Sequence, residues 1–131
     1  MRRKTAEEYI EAIFRIQLNE GGKASTGMIA ATLGVSPPSI TEMLKKLERE
    51  GLVFYEPHAG VRLSQKGQRI AERLSMRHAL LASFFQSIGV SPERAERDAC
   101  QIEHHISEET IARIDEFMQK CRDEKKGEPF V

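Results

Sequence analysis

The chain has 131 residues, and its 20 Lys and Arg balance 20 Asp and Glu, so its formal net charge is zero. Zero net charge excludes binding to nucleic acid through overall basicity, so any DNA contact must come from a local patch. Two well-separated cysteines, no evident signal peptide and no apolar run near the roughly 18 residues of a membrane span together favour a soluble protein of the reducing cytoplasm.

The sequence predicts six helices and one β-hairpin, in a mainly α protein. A capping box at Thr5-Ala-Glu-Glu8 starts the first helix, and Ser25 or Thr26 caps the second. Ser36 followed by two prolines starts the third. The helices are expected at about residues 5–18, 28–33, 36–50, 64–87, 91–106 and 107–121, and the strands at 52–55 and 61–63. The charged tail after Cys121 is expected to fray.

The second and third helices are predicted to form a helix-turn-helix. Ala30, Gly34 and Ile40 have the spacing of its tight turn, and the following hairpin resembles a wing that contacts phosphates. The residues expected to contact DNA are Ser36, Pro37, Ser39, Thr41, Glu42, Lys46 and Arg62. Glu42 has two interpretations, since it either accepts a hydrogen bond from a cytosine amino group or pairs with a neighbouring lysine.

A second group of residues has the chemistry of a metal site. In a helix, Cys100, Glu103 and His104 lie at i, i+3 and i+4, so one face carries a thiol, a carboxylate and an imidazole. Further candidate ligands are Glu8, Glu11 and His78. This donor set suits Mn(II) or Fe(II), with Co(II), Ni(II) and Zn(II) as tighter-binding competitors. Each residue alone also has a structural interpretation, such as the capping box for Glu8 or a buried apolar role for Cys100.

Four segments taken in order are similar to a known family. They are Glu7-Glu-Tyr-Ile-Glu11, Ser36-Pro-Pro-Ser-Ile-Thr41, Arg77-His78 and Ile102-Glu-His-His105. The chain, up to about residue 122, resembles the DtxR/MntR family of metal-dependent repressors in its short form without an SH3-like domain. The resemblance implies a winged helix-turn-helix over residues 1–66 and an all-helical metal-binding and dimerisation domain over 67–131. It also implies that the metal ligands are Glu8, Glu11, His78, Cys100, Glu103 and His104.

Two positions depart from the pattern of either branch of that family. The manganese-selective branch usually has Asp at position 8 and Glu at position 100, whereas the iron-responsive branch has Met and Cys there. Glu8 and Cys100 therefore form a hybrid, and Ala82 and Glu96 do not reproduce two ligands of the iron branch's ancillary site. The resemblance then favours a binuclear, manganese-type cluster whose soft ligand widens the response to iron.

These features predict a metal-activated repressor of metal-uptake genes that binds a double-stranded DNA operator. Metal is expected to cancel the crowded negative charge, to bridge the first helix to the second domain and to fix the DNA-reading heads. A homodimer is expected through the C-terminal helices, with an apolar surface of Leu80, Leu81, Phe84, Phe85, Ile88, Ile102, Ile106, Ile114 and Phe117.

Two alternatives come from other functional classes. A winged-helix regulator that ignores metal would leave the acidic residues as solvated faces. A small binuclear metalloenzyme would need a substrate pocket and a general base, and the chain has no long loops to build one. We therefore expect neither an enzyme nor a small organic substrate, and no membrane partner.

Overall fold

The computed structural model describes residues 5–127, with side chains for residues 5–124. The described part contains six α-helices and a two-stranded antiparallel sheet. The helices are α1 (Ala6–Glu20), α2 (Thr26–Leu33), α3 (Pro37–Arg49), α4 (Gln65–Ser87), α5 (Pro92–Ile102) and α6 (Glu108–Gly127), and the strands are β1 (Val53–Glu56) and β2 (Gly60–Leu63). The chain divides into two compact units between residues 73 and 74. No helix within 5–127 has the length and apolarity that crossing a membrane requires.

The capping box predicted at the start of α1 is present. The Glu8 amide donates to the Thr5 hydroxyl at 3.3 Å, and the Thr5 amide donates to the Glu8 carboxylate at 3.0 Å. The helix continues to Glu20, two residues beyond the predicted end, and stops at Gly21 with φ of +69°. Its apolar side is buried in the core of the first unit, through Tyr9, Ile10, Ile13 and Ile16.

The helix-turn-helix has the predicted order and a glycine at its corner. Ser25, rather than Thr26, caps α2, because its hydroxyl accepts a hydrogen bond from the Met28 amide at 3.1 Å. Gly34 ends the helix with φ of +66° while its amide donates to the Ala30 carbonyl at 2.8 Å. A residue with a side chain is disfavoured at this φ, so the turn depends on glycine.

Helix α3 begins where the Ser-Pro-Pro segment predicts. Ser36 is its N-cap residue by backbone conformation, but its hydroxyl donates to the Ser39 hydroxyl at 3.0 Å instead of bonding an amide. One stripe of the helix is fully buried, at Ile40, Leu44 and Leu47. This stripe leaves the opposite side of α3 to solvent, as the sequence pattern predicts.

The β-hairpin is joined by an additional bridge that the sequence did not indicate. β1 and β2 pair with Val53 opposite Leu63. Ala24, ahead of α2, pairs with Val61 through two hydrogen bonds of 2.8 Å. A Cβ at Gly60, whose φ is +109°, would lie 2.8 Å from the Ala24 carbonyl oxygen. Gly60 therefore allows β2 to lie close to the Ala24 main chain, so that the Ala24–Val61 bridge joins the hairpin to the segment before α2.

The start of α4 packs closely on the segment before β1. The Ser64 hydroxyl caps the helix by accepting from the Gly67 amide at 3.1 Å, and it donates to the Gly51 carbonyl at 2.7 Å. A Cβ at Gly67 would lie 2.2 Å from the Leu52 carbonyl oxygen. Only glycine at position 67 allows the start of α4 to lie this close to the Leu52 carbonyl.

The second unit contains the rest of α4 with α5 and α6. Its small core consists of Leu81, Ala82 and Ala99, with Phe85, Ile106, Ile111 and Ile114 packed against it. Leu81 was expected on a dimer surface, but it is only 1% exposed. That assignment is wrong, because Leu81 faces the core of its own unit.

Two predicted helix ends are also wrong. Helix α5 ends at Ile102 instead of near residue 106, because the His105 amide bonds the Ile102 carbonyl in a tight turn. Ser107 then caps α6 as expected, accepting from the Thr110 amide at 3.1 Å. Helix α6 continues past Cys121 to Gly127, since residues 122–126 include strong helix formers. Residues 128–131 of the predicted frayed tail lie outside the described residues.

Candidate metal centre and nucleic-acid interface

The most unusual side chain of the second unit is the carboxylate of Glu103, which is completely buried. It follows the last residue of α5 as its C-cap. One oxygen lies 2.9 Å from Nδ1 of His78, and the other lies 3.4 Å from Nε2 of His104. A carboxylate removed from water is costly unless charged or hydrogen-bonding partners compensate it. The His78 imidazole is such a partner at one oxygen, and both imidazoles are also good metal ligands.

His78 comes from α4 and lies between two carboxylates. Its Nδ1 faces Glu103, and its Nε2 is 2.5 Å from a carboxylate oxygen of Glu96. The Glu96 side chain is 62% exposed, whereas that of Glu103 is inaccessible. His78 therefore connects a buried carboxylate to one at the surface.

The remaining predicted ligands of this unit are near Glu103 in the chain but do not share one helical face. Cys100 is half-buried in the last turn of α5. His104 lies in the turn after the helix, with a side chain 4% exposed, and His105 in the same turn is exposed. The prediction of one helix carrying Cys100, Glu103 and His104 together is thus wrong, because α5 ends at Ile102 and both Glu103 and His104 lie beyond it. The structure nevertheless brings His104, Glu103 and His78 together.

The two predicted ligands of α1 lie in the first unit. Glu8 is half-buried and accepts from the Thr5 amide in the capping box, as its structural interpretation requires. Glu11 is 8% exposed, and its carboxylate is 3.3 Å from the Arg15 guanidinium one turn later. Their role as metal ligands stays a prediction.

Sequence reasoning gave no role to two residues that contact this group. Glu96 was noted only as a departure from the family pattern, although it precedes Cys100 by four residues and hence lies near it on α5. Arg77 was only a landmark of the resemblance. Its guanidinium, 11% exposed, donates to the main-chain carbonyls of Glu103 and Ile106. Nothing in the sequence pattern indicated these carbonyl contacts, since they depend on the turn after α5.

The residues described here fit a divalent first-row metal. A buried carboxylate flanked by imidazoles, with a thiol one turn earlier, combines the oxygen, nitrogen and sulfur ligands that such ions accept. A carboxylate at this depth is also stabilised by a cation beside it. The donor set lacks the several cysteines of a structural zinc site.

A second surface, in the first unit, has the properties of a DNA-reading element. Most of the predicted contact residues are exposed, namely Ser36, Pro37, Ser39, Glu42, Lys46 and Arg62. Thr41 is half-buried, and its hydroxyl donates to the Pro37 carbonyl at 3.2 Å. That hydroxyl hydrogen is therefore used in a bond within α3. On the hairpin, the Arg62 guanidinium lies 4.7 Å from the ring centroid of Phe54. This stacking holds a cationic group on the exposed face of the wing.

A helix-turn-helix followed by a β-hairpin and a helical unit with metal-ligand chemistry defines the class of winged-helix regulators that bind metal. Two family models cover nearly the whole chain. Residues 1–61 match the N-terminal DNA-binding domain of the iron-dependent repressors, and residues 64–130 match the metal-binding and dimerisation domain of the same repressors. The chain belongs to this family of metal-dependent transcriptional repressors.

Curated relatives and solved structures agree with this family. The chain is 41% identical over 120 residues to the HTH-type transcriptional regulator MntR of Geobacillus kaustophilus, covering 92% of this chain and 84% of the relative. It is 41% identical over 119 residues to the transcriptional regulator MntR of Escherichia coli O6:H1, covering 91% and 76%.

Among solved structures, a manganese-dependent transcriptional repressor in complex with manganese has a TM-score of 0.78 and 33% identity, with 88% of this chain and 53% of that chain covered. The manganese regulator SloR has a TM-score of 0.73 and 30% identity, with 90% and 55% covered. The chain therefore spans about half the length of these two structures. The predicted mainly α fold, with its winged helix-turn-helix and helical second half, is confirmed.

Proposed function

We propose that this chain is a cytoplasmic, metal-activated repressor that binds a double-stranded DNA operator of metal-uptake genes. The observation that carries the proposal is the buried Glu103 carboxylate between His78 and His104. Such a group has little use in a regulator that ignores metal, because an apolar residue would fill the same space at lower cost. We assign DNA binding to residues 1–66, and metal binding and dimerisation to residues 67–131.

The proposed ligands of the second unit are His78, Cys100, Glu103 and His104. Glu8 and Glu11 of α1 are proposed as further ligands on the strength of the sequence resemblance. Mn(II) or Fe(II) are the proposed metals, with one or two ions per subunit and with Co(II), Ni(II) and Zn(II) able to substitute. Several relatives support manganese by name, and one solved relative was obtained with Zn²⁺.

The role of these side chains follows from their charge. Carboxylates and a thiol that share a poorly solvated site repel one another when ionised, so the metal-free arrangement is less stable. A bound divalent cation supplies positive charge that offsets this repulsion. If ligands come from α1 as well as from the second unit, metal affinity and operator affinity become thermodynamically coupled, typically by 1–3 kcal/mol.

DNA recognition is proposed for the exposed side of α3 and for the wing. The N-terminal part of α3 offers the hydroxyl of Ser39 to base edges, and Lys46 and Arg62 offer positive charge to phosphates. Glu42 is exposed on the same helix, so it remains a candidate for a cytosine contact. A homodimer would place two such reading helices on an operator with two half-sites.

The proposed function is tested by fluorescence anisotropy on a labelled metal-uptake promoter fragment. Titrations are made in chelator, in Mn(II) and in anaerobic Fe(II), with a scrambled fragment as the control. We expect the metal to tighten binding about tenfold or more, which corresponds to roughly 1.4 kcal/mol. Equally tight binding in chelator would favour a metal-independent winged-helix regulator instead.

A binuclear metalloenzyme is the remaining alternative. It requires an open coordination position facing a substrate pocket, with a general base beside it. One groove of the second unit is lined by Phe84, Ile114 and Phe117 with Glu109, Thr110 and Arg113, and its lining does not include His78, Glu103 or His104. Metal binding without any effect on DNA affinity would favour this alternative.

A further inference from the structure

We propose that Arg77 is a positioning residue of the metal centre, because it holds the turn that carries Glu103 and His104. The inference rests on the proposed function, since it takes these two residues and His78 as metal ligands. The Arg77 side chain is 11% exposed. An arginine is seldom buried to this extent unless it is paired, and both terminal nitrogens of Arg77 have partners.

Arg77 contacts both ends of the turn between α5 and α6. Its Nη1 donates to the Glu103 carbonyl at 2.9 Å and to the Ile106 carbonyl at 3.1 Å. Carbonyls beyond the last helical turn have no partner within the helix, so a cationic donor there satisfies them and interacts favourably with the helix dipole. Its Nη2 pairs with the Glu108 carboxylate in the first turn of α6. One side chain thus connects the end of α5, the turn and the start of α6 to α4.

The neighbouring residue in the sequence contacts the same glutamate. Arg77 bonds the main chain of Glu103, and His78 contacts its carboxylate at 2.9 Å. Two consecutive residues of α4 therefore fix where Glu103 lies and how its side chain is oriented. Residues that orient metal ligands are worth about 10- to 100-fold in metal affinity.

Arg77→Lys is the most informative substitution, because it keeps the positive charge and removes the planar guanidinium. A guanidinium donates in several fixed directions, whereas an ammonium on a flexible stem does not reproduce the contacts to two carbonyls and a carboxylate together. The matched control is Arg97→Lys, at an exposed position of α5.

The experiment measures Mn(II) dissociation constants by competition with a fluorescent chelator, with circular dichroism as a check on folding. Arg77→Lys is expected to weaken Mn(II) binding about 10- to 100-fold while the protein stays folded, and Arg97→Lys to stay within about twofold of wild type. A folded Arg77→Lys protein within about twofold of wild type overturns the positioning role alone. If wild type itself binds Mn(II) no better than Glu103→Gln does, the proposed function fails.

A measurement on the wild-type protein covers the case in which Arg77→Lys does not fold. A turn held by Arg77 is formed before metal binds, so the His105 amide, which donates to the Ile102 carbonyl at 2.9 Å, is expected to exchange slowly in chelator. We expect protection of about tenfold or more over an unstructured peptide. Exchange at the unstructured rate overturns the proposal.

Discussion

At the scale of single residues, Glu103 is the most deeply buried of the proposed ligands. Its carboxylate is inaccessible to water and touches one imidazole on each side. Glu103→Gln keeps the shape of the side chain and removes its charge. It therefore separates the metal-binding role of the carboxylate from its packing role.

Glu103→Gln is predicted to weaken Mn(II) binding by more than about 100-fold, because loss of a ligand should exceed the effect of losing a residue that only orients one. Isothermal titration calorimetry measures the change. Glu93→Gln, at an exposed position in the first turn of α5, is the control and should bind Mn(II) as wild type does. Equal affinities of the Glu103 variant and the control would remove Glu103 from the ligand set.

Residue types, spacing and the family resemblance together predicted His78, Glu103 and His104 as ligands, and the structure places these three side chains together. Their role as metal ligands stays a prediction. Their contacts to Arg77 and Glu96 were not predictable. The Arg77 contacts depend on the point where α5 ends, and helix ends are decided by local hydrogen bonds that propensity alone does not determine. The Glu96 contact depends on how α5 packs against α4, which the sequence pattern does not give.

At the scale of elements, the spacing of apolar residues did not predict where α5 ends or the close packing around Gly67. The sequence predicted the order of all described helices and strands, because capping residues, prolines and glycines mark where most of them begin and end. The bridge from Ala24 to Val61 was missed, since one residue pair leaves no alternating pattern in the sequence.

Gly67→Ala is predicted to lower the free energy of unfolding by about 1–3 kcal/mol. The added methyl group would lie 2.2 Å from the Leu52 carbonyl oxygen, so the start of α4 must move away from the segment before β1. Urea denaturation measures the loss. Gly22→Ala, where a Cβ meets no atom within 4 Å, is the matched control and should change stability by less than about 0.5 kcal/mol. A Gly67→Ala protein as stable as this control would show that the close contact is not maintained.

Lys46→Ala tests whether α3 lies against the DNA backbone. Lys46 is exposed in the last turn of the helix, so we expect it to contact a phosphate. Its loss should weaken binding about equally on operator and scrambled DNA and reduce the salt slope by about 1. Lys120→Ala, exposed on α6, should leave both quantities unchanged. Anisotropy titrations at several salt concentrations measure the salt slope of each variant. An unchanged slope for Lys46→Ala would exclude the phosphate contact.

At the scale of the whole molecule, the second unit leaves large apolar side chains in contact with solvent. Ile88 is 62% exposed and Phe117 is 52% exposed, and Phe84 packs edge-to-face on Phe117 beside them. The exposed side chains of Ile88 and Phe117 and the matching dimerisation domain model together support the proposed homodimer.

Phe117→Asp is therefore predicted to convert a homodimer into monomers, because a charge replaces an apolar side chain of the interface. Sedimentation equilibrium measures the mass. Leu18→Asp, at an exposed apolar position of the first unit, is the control and should stay dimeric. A dimer that persists in Phe117→Asp would place the interface elsewhere.

Metal binding and operator binding are proposed to be coupled, and thermodynamic linkage makes this coupling directly measurable. If metal raises operator affinity by a given factor, the operator must raise metal affinity by the same factor. The Mn(II) dissociation constant is therefore measured with and without saturating operator DNA. We predict about tenfold or tighter Mn(II) binding on the operator, equal to the factor found by anisotropy. The same Mn(II) affinity in both conditions would contradict metal-activated repression.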